Sequence, residues 1–146
     1  MDRHELAYLA GIIDGEGCIS LGVRKLIYVT PTIQVTNTDK RLTDWLQSCL
    51  GGNVYVGRET RPTRKQPYLW SVAGAKAREI IKAVRPYLML KVEQADIILA
   101  LETIDRTLIP RDGKTGRLMR LPQSYHNATA SALSSIRALN RRGPPP

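Results

Sequence analysis

Apolar positions near the start of the chain recur at helical spacing. Leu6, Leu9 and Ile13 share one face at i, i+3 and i+7, and Asp2 with Glu5 three residues on supplies a capping-box start. The expected helix, Asp2 to Asp14, has a second face made of Ala7, Ala10, Gly11 and Asp14, mostly very small. A helix apolar on one side and nearly bare on the other can bury both, because small residues let another backbone come close. Gly11 lowers helix propensity by roughly 1 kcal/mol relative to Ala, so in mid-helix it calls for a packing reason.

The period then changes from helical to alternating. Ile19, Leu21 and Val23 alternate with Ser20, Gly22 and Arg24; after a turn near residues 25–27, Val29, Ile33 and Val35 alternate with Tyr28, Thr30, Thr32, Gln34 and Thr36. Such alternation predicts an antiparallel pair with one core face and one wet face, Pro31 taking an edge or unpaired position. Next comes a helix begun by Thr38 or Asp39 and stopped at Gly51-Gly52, with Leu42, Trp45, Leu46, Cys49 and Leu50 inward. A second strand pair, residues 53–59 and 68–73, flanks a basic turn over residues 60–67. Helices follow at about 75–84 (Ala77, Ile80, Ile81 and Val84 inward, broken by Pro86), 91–108, and 127–142 bearing Leu133, Ile136 and Leu139.

This order predicts an α+β fold, α-β-β-α-β-β-α, with a four-stranded antiparallel sheet, helices on one face, and additional C-terminal helices. Residues 1–108 form the expected core; residues 109–146, a basic connector, a helix and a Gly-Pro tail, belong to the same domain. No apolar run approaches the ~18 residues that cross a bilayer. The acids in the first five residues do not suit a signal peptide, so an intracellular rather than secreted protein is expected. Cys18 and Cys49 have no metal spacing and are expected as small core residues, with one bridge left open.

Charge changes the picture of partners. The net +9 is uneven: residues 57–91 and 106–146 each carry +7, whereas residues 92–105 carry −4. Basic blocks on a folded chain suit a polyanion, since neutralised phosphates release counterions; a solvated basic surface is the alternative. The absence of Phe argues against a platform that stacks single-stranded bases. The wet strand face, with Ser20, Arg24, Tyr28, Thr30, Thr32, Gln34 and Thr36, carries side chains able to bond base edges and phosphates. Arg58, Arg61, Arg64, Lys65, Tyr68 and Trp70 are the DNA-binding candidates of the second pair.

The segment Leu9-Ala10-Gly11-Ile12-Ile13-Asp14-Gly15-Glu16-Gly17 closely resembles the nine-residue signature of the LAGLIDADG homing endonucleases. Ile12 and Glu16 are conservative variants within it. Ile33-Gln34-Val35-Thr36-Asn37 with Lys40-Arg41, and Pro86-Tyr87-Leu88-Met89-Leu90-Lys91, also resemble members with a single motif, so the likeness spans roughly residues 5–105. One motif implies a homodimer, because the family's fold pairs two such helices; Ala7, Ala10, Gly11 and Asp14 are the expected interface, Asp14 as a structural pin.

The resemblance implies a metal-dependent double-strand DNA endonuclease of the intron-encoded type, leaving short 3′ overhangs. It makes Glu16 the ligand for Mg2+ (Mn2+ or Ca2+ can take the place), with the Gly15 carbonyl beside it. Asn37, unless it merely starts a helix, would position water; Lys40 or Arg41, and Lys91, would stabilise phosphate charge. A strand of ~10 residues spans about 33 Å, near one turn of B-DNA, so a dimer would read a pseudo-palindrome of roughly 20 base pairs. The alternatives are a maturase that binds intron RNA and a DNA-binding regulator without catalysis. No membrane partner is expected. His4 and His126 are isolated surface residues, and no Ser/His/Asp or Cys/His set is spaced as a nucleophile.

Overall fold

The helix start at Asp2 is a reciprocal capping box. The Asp2 carboxylate accepts from the backbone N–H groups of His4 (2.8 Å) and Glu5 (2.9 Å), while the Glu5 carboxylate accepts from the Asp2 amide (2.8 Å). The first helix, α1 (Arg3–Glu16), then buries Leu9, Ala10, Ile12 and Ile13. The computed structural model describes residues 1–24, 28–58, 63–101, 112–115 and 123–141. After α1 come β1 (Gly17–Arg24), β2 (Tyr28–Asn37), α2 (Lys40–Leu50), β3 (Asn53–Val56), β4 (Tyr68–Ala73), α3 (Ala75–Val84), a 3-10 turn (Arg85–Tyr87), α4 (Val92–Ala100) and α5 (Gln123–Leu139).

The four strands form one antiparallel sheet in the order β1-β2-β4-β3. Directly paired residues share a face, so register sorts the side chains. Ile19 opposite Ile33, Ile33 opposite Val72, and Val35 opposite Trp70 form the core face. Cys18 opposite Gln34, Ser20 opposite Thr32, and Gln34 opposite Ser71 form the other. Pro31 lies one residue beyond the β2–β4 register and donates nothing there; its carbonyl accepts from the Gly74 amide at 2.9 Å.

The core lies between that apolar face and the helices. Leu9, Ile13, Ile19, Ile33, Val35, Leu46, Trp70, Ile81 and Ile98 are fully buried within it. Each such side chain stabilises the fold by roughly 1.5–3 kcal/mol relative to its exposed state. Gly52 closes the turn from α2 into β3 at a positive φ of 86°, and a Cβ there would stand 2.6 Å from the Ser71 carbonyl oxygen.

Several expected elements are shorter or shifted. The strand expected to residue 59 pairs only to Val56. The helix expected to reach 108 is described as α4 over Val92–Ala100; residues 102–111 lie outside the described set. The last helix begins at Gln123, within the segment expected as a connector, and ends at Leu139. It packs on α4 and β1, burying Thr129, Ala132 and Ile136. Cys49, expected in the core, is exposed, and Cys18 is half-buried; both are free. Thr43 takes the inward place on α2, its hydroxyl satisfied by donating to the Lys40 carbonyl at 2.9 Å.

Candidate active site and nucleic-acid interface

Where α1 ends, the chain turns sharply into β1. Gly17 permits the turn, because a Cβ on it would stand 2.7 Å from the Ile13 carbonyl oxygen. The turn is pinned from outside by the segment before α4. The Asp14 carboxylate accepts from the backbone N–H groups of Met89 (2.7 Å) and Lys91 (3.0 Å), and the Lys91 ammonium donates to the Asp14 carbonyl. Asp14 is thus a structural pin, but its carboxylate is engaged within its own chain. Glu16, two residues further, is exposed, and its carboxylate has no protein partner among the described residues.

Glu16 and Lys91 line one open cleft of about 610 Å³. Gly15 and Gly17 form its rim, Gln34 and Thr36 come from the sheet, and Gln94, Asn140 and Arg141 from α4 and the chain after α5. These last three were missed by the sequence patterns. Gln94 stands four residues before the buried Ile98 on α4, so an amide on an inward stripe was the available signal for it. Nothing periodic marks Asn140 or Arg141.

Asn37, Lys40 and Arg41 are not brought to that cleft. Asn37 and Arg41 border a second, shallower hollow of about 470 Å³ with Tyr8, Asp39, Leu42 and Trp45. The Asn37 side chain accepts from the Asp39 amide at 2.8 Å, organising the entry to α2. Asp39 is the N-cap of α2, accepting from the Arg41 amide and, at 2.5 Å, from its guanidinium. Those two Arg41 groups hold the Asp39 carboxyl down at about 2, from an ordinary 3.8. Lys40 pairs instead with Asp44 one helical turn on, at 2.6 Å.

The small-residue face of α1 divides in two. Ala7, Gly11 and Gly15, at i, i+4 and i+8, are exposed, and no atom of the described residues lies within 4 Å of where a Cβ on Gly11 would sit. Tyr8, 59% exposed, flanks this stripe and stacks edge-on against Trp45. Ala10 does not belong to it: it is fully buried under the helix, on the face with Ile13.

The sheet face opposite the helices is open. Ser20, Thr30, Thr32, Gln34 and Thr36 are half-buried or exposed there, joined by Ser71 and the exposed Asn53 and Tyr55. Trp70 is a correction. It is fully buried opposite Val35 and Val54, and its indole N–H donates to the Gly51 carbonyl at 2.8 Å, so it cannot reach DNA. Tyr68 shares its parity on the helix side, paired with Asn37 and Val56. Arg24 and Tyr28 face one another in the hairpin register; their side chains, and the whole of Arg61, lie outside the described residues. Arg58, Arg64 and Lys65 are exposed beyond the β3 and β4 ends.

Among the described residues no three His, Cys, Asp or Glu side chains cluster as a metal cage. The donor set at the end of α1 nevertheless fits a hard divalent cation of the magnesium kind. Magnesium keeps most of its water and is held through one or two carboxylates, and Glu16 is a carboxylate uncommitted to any other described group.

No protein-family profile and no curated sequence matches the chain. Solved structures do. The homing endonuclease I-CvuI in complex with its target superposes with a TM-score of 0.67 at 21% identity, covering 96% of this chain and 84% of that one. The archaeal intron-encoded homing endonuclease I-Vdi141I, complexed with DNA, gives 0.63 at 13% identity over 97% of this chain and 87% of that one. The DNA-bound meganuclease I-SmaMI gives 0.55 at 20% identity over 95% of this chain but 45% of that one. With a four-stranded antiparallel sheet covered by helices and superposition over nearly its whole length, this chain has the fold of the LAGLIDADG homing endonucleases.

Proposed function

We propose that this chain is a site-specific double-strand DNA endonuclease, acting as a homodimer on a pseudo-palindrome of roughly 20 base pairs and leaving short 3′ overhangs. The carrying observation is the placement of Glu16. An exposed carboxylate stands at the end of a helix whose outer stripe is bare, in a cleft shared with Lys91 and bordered by the open polar sheet. The neighbours' complexes with DNA support the same substrate class.

In this reading two α1 helices cross at the exposed Ala7 and Gly11, where no described residue stands over Gly11 to obstruct a second backbone. The two Glu16 carboxylates, with the Gly15 carbonyls, then meet at the paired helix ends, one for each strand to be cut. A divalent ion held there (Mg2+, with Mn2+ or Ca2+ as substitutes) supplies an activated water and neutralises developing phosphate charge. Lys91 spends one N–H on the Asp14 carbonyl, leaving two donors for a phosphate oxygen. Thr36 and Gln34 offer a hydroxyl and an amide at the cleft mouth, able to orient water or a base edge. Asn37 and Arg41 would enter the site only through assembly, since their hollow adjoins Tyr8, beside the stripe on which a second copy would sit; Lys40, paired with Asp44, lies outside that hollow.

Along the sheet, Ser20, Arg24, Tyr28, Thr30, Thr32, Gln34 and Thr36 read base edges in the major groove, while Arg58, Arg61, Arg64 and Lys65 meet bases or phosphates beyond it. The decisive experiment is incubation with a randomised duplex library and magnesium, followed by sequencing of cut ends. The expected result is one dyad-related site family; failure to cut any duplex would remove the nuclease assignment and leave a binding module.

A further inference from the structure

Asn140 is a long way from β1 in sequence, yet its side-chain N–H2 donates to the Ile19 carbonyl at 2.8 Å. That bond fixes the orientation of its amide, whose oxygen then faces the Gln94 side-chain N–H2 at 3.5 Å. Gln94 is 6% exposed, and its own carbonyl oxygen has no donor in the protein among the described residues. Two amides thereby tie together β1, α4 and the end of α5 at the wall of the Glu16 cleft. The next residue, Arg141, is exposed, has no ion-pair partner among the described residues, and lines the same cleft. A guanidinium that lines one cleft with the Lys91 ammonium is suited to an anion, and its planar fork matches the oxygens of a phosphodiester.

We propose that Arg141 is a phosphodiester-binding residue of this cleft and that the Asn140–Gln94 amide pair is the latch that seats it there. The proposal rests on the nuclease reading for the identity of the phosphodiester, but not for the charge contact itself. The latch holds the last turn of α5 against β1, so Arg141 leaves the helix at a fixed place over the cleft.

The test is the affinity of the full-length protein for a double-stranded oligonucleotide of unselected sequence, titrated across salt with calcium present. Arg141→Ala should flatten the slope of log K against log salt by about 0.9 for each subunit that touches DNA, and Arg141→Lys should retain it. Asn140→Ala should flatten the slope to the same extent, with the double variant no flatter than either single one. Gln94→Leu, which keeps volume and loses only the amide, should do likewise if Asn140→Ala fails to fold. A wild-type slope in Arg141→Ala overturns the contact, and a wild-type slope in both Asn140→Ala and Gln94→Leu overturns the latch. Cleavage is followed in parallel to separate the two readings. A wild-type protein that cuts no duplex, together with a flattened Arg141→Ala slope, removes the nuclease assignment and keeps this one. Cutting by wild type with an unchanged slope removes this one alone.

Discussion

At the scale of single residues, Glu16 and Asp39 are carboxylates of opposite character. Glu16 is exposed and uncommitted, so Glu16→Gln removes a charge while changing little volume. That variant should lose double-strand cleavage altogether yet bind its duplex at least as well as the parent, because a negative charge near phosphate is gone. Nicking gels and filter binding on one preparation decide it, and robust cutting by the variant would end the metal assignment. Asp39 is wholly engaged by Arg41. A carboxyl lowered in the folded state supports folding above its unfolded value and loses that support as acid protonates it, here as pH falls from about 3.8 through about 2. Carboxyl NMR titration should find the Asp39 midpoint near 2. In Arg41→Ala it should rise only part of the way to 3.8, since the backbone N–H at position 41 still donates to the carboxylate.

Elements separate positions that look equivalent in the sequence. Ala10 and Gly11 are neighbours in one motif, but the first is fully buried and the second faces open space. Ala10→Leu should therefore destabilise the subunit itself by roughly 1–3 kcal/mol, through overpacking. Gly11→Leu should leave helical circular dichroism intact and shift sedimentation from dimer to monomer; a persisting dimer would dismiss the paired-helix assembly. Trp70→Ala should cost roughly 3–5 kcal/mol in chemical unfolding without selectively relaxing base preference, the reverse of a DNA-contacting tryptophan. The element order, the capping box, the inward faces of α1 and α3 and the wet face of β2 were legible because each repeats at a fixed period. Trp70 was misplaced although Trp70 and Val72 alternate with the small Ser71 and Ala73; its pairing with Val35 and Val54 puts that bulkier face in the core. The cleft was legible as far as the motif and Lys91. Gln94 left a weak local signal on α4, whereas Asn140 and Arg141 come to the same cleft through tertiary docking of α5, which no local spacing encodes.

Over the whole molecule, the two basic blocks of +7 should give DNA affinity a steep salt dependence. Truncation after Thr107 removes the second block except Arg106, but it also strips α5 from the core. Ile136 alone is 1% exposed, and its loss removes roughly 1.5–3 kcal/mol of burial. The truncated chain should therefore melt markedly lower, as seen by calorimetry, before any change in binding is interpretable. Arg64→Ala with Lys65→Ala is the cleaner charge test, since both residues are exposed. Together they should flatten the salt slope by up to about 1.8 per subunit while thermal stability stays put. An unchanged slope would take that basic turn off the DNA.

The pin between Asp14 and the segment at Met89–Lys91 has a kinetic corollary. It joins positions 75 and 77 residues apart, so the chain must close a very long loop before the bonds can form. The hydrogen bonds within helix α1 and the pairing of β1 with β2 are local in sequence, whereas Lys91 reaches Asp14 only once the sheet and α3 are in place. Contacts of such span retard folding, and a nascent chain would acquire its first helix long before the Glu16–Lys91 cleft. Pulse-labelled hydrogen exchange should accordingly protect the amides of Leu9 and Ile13 earlier than those of Met89 and Lys91, so the cleft that holds Glu16 and Lys91 is completed last.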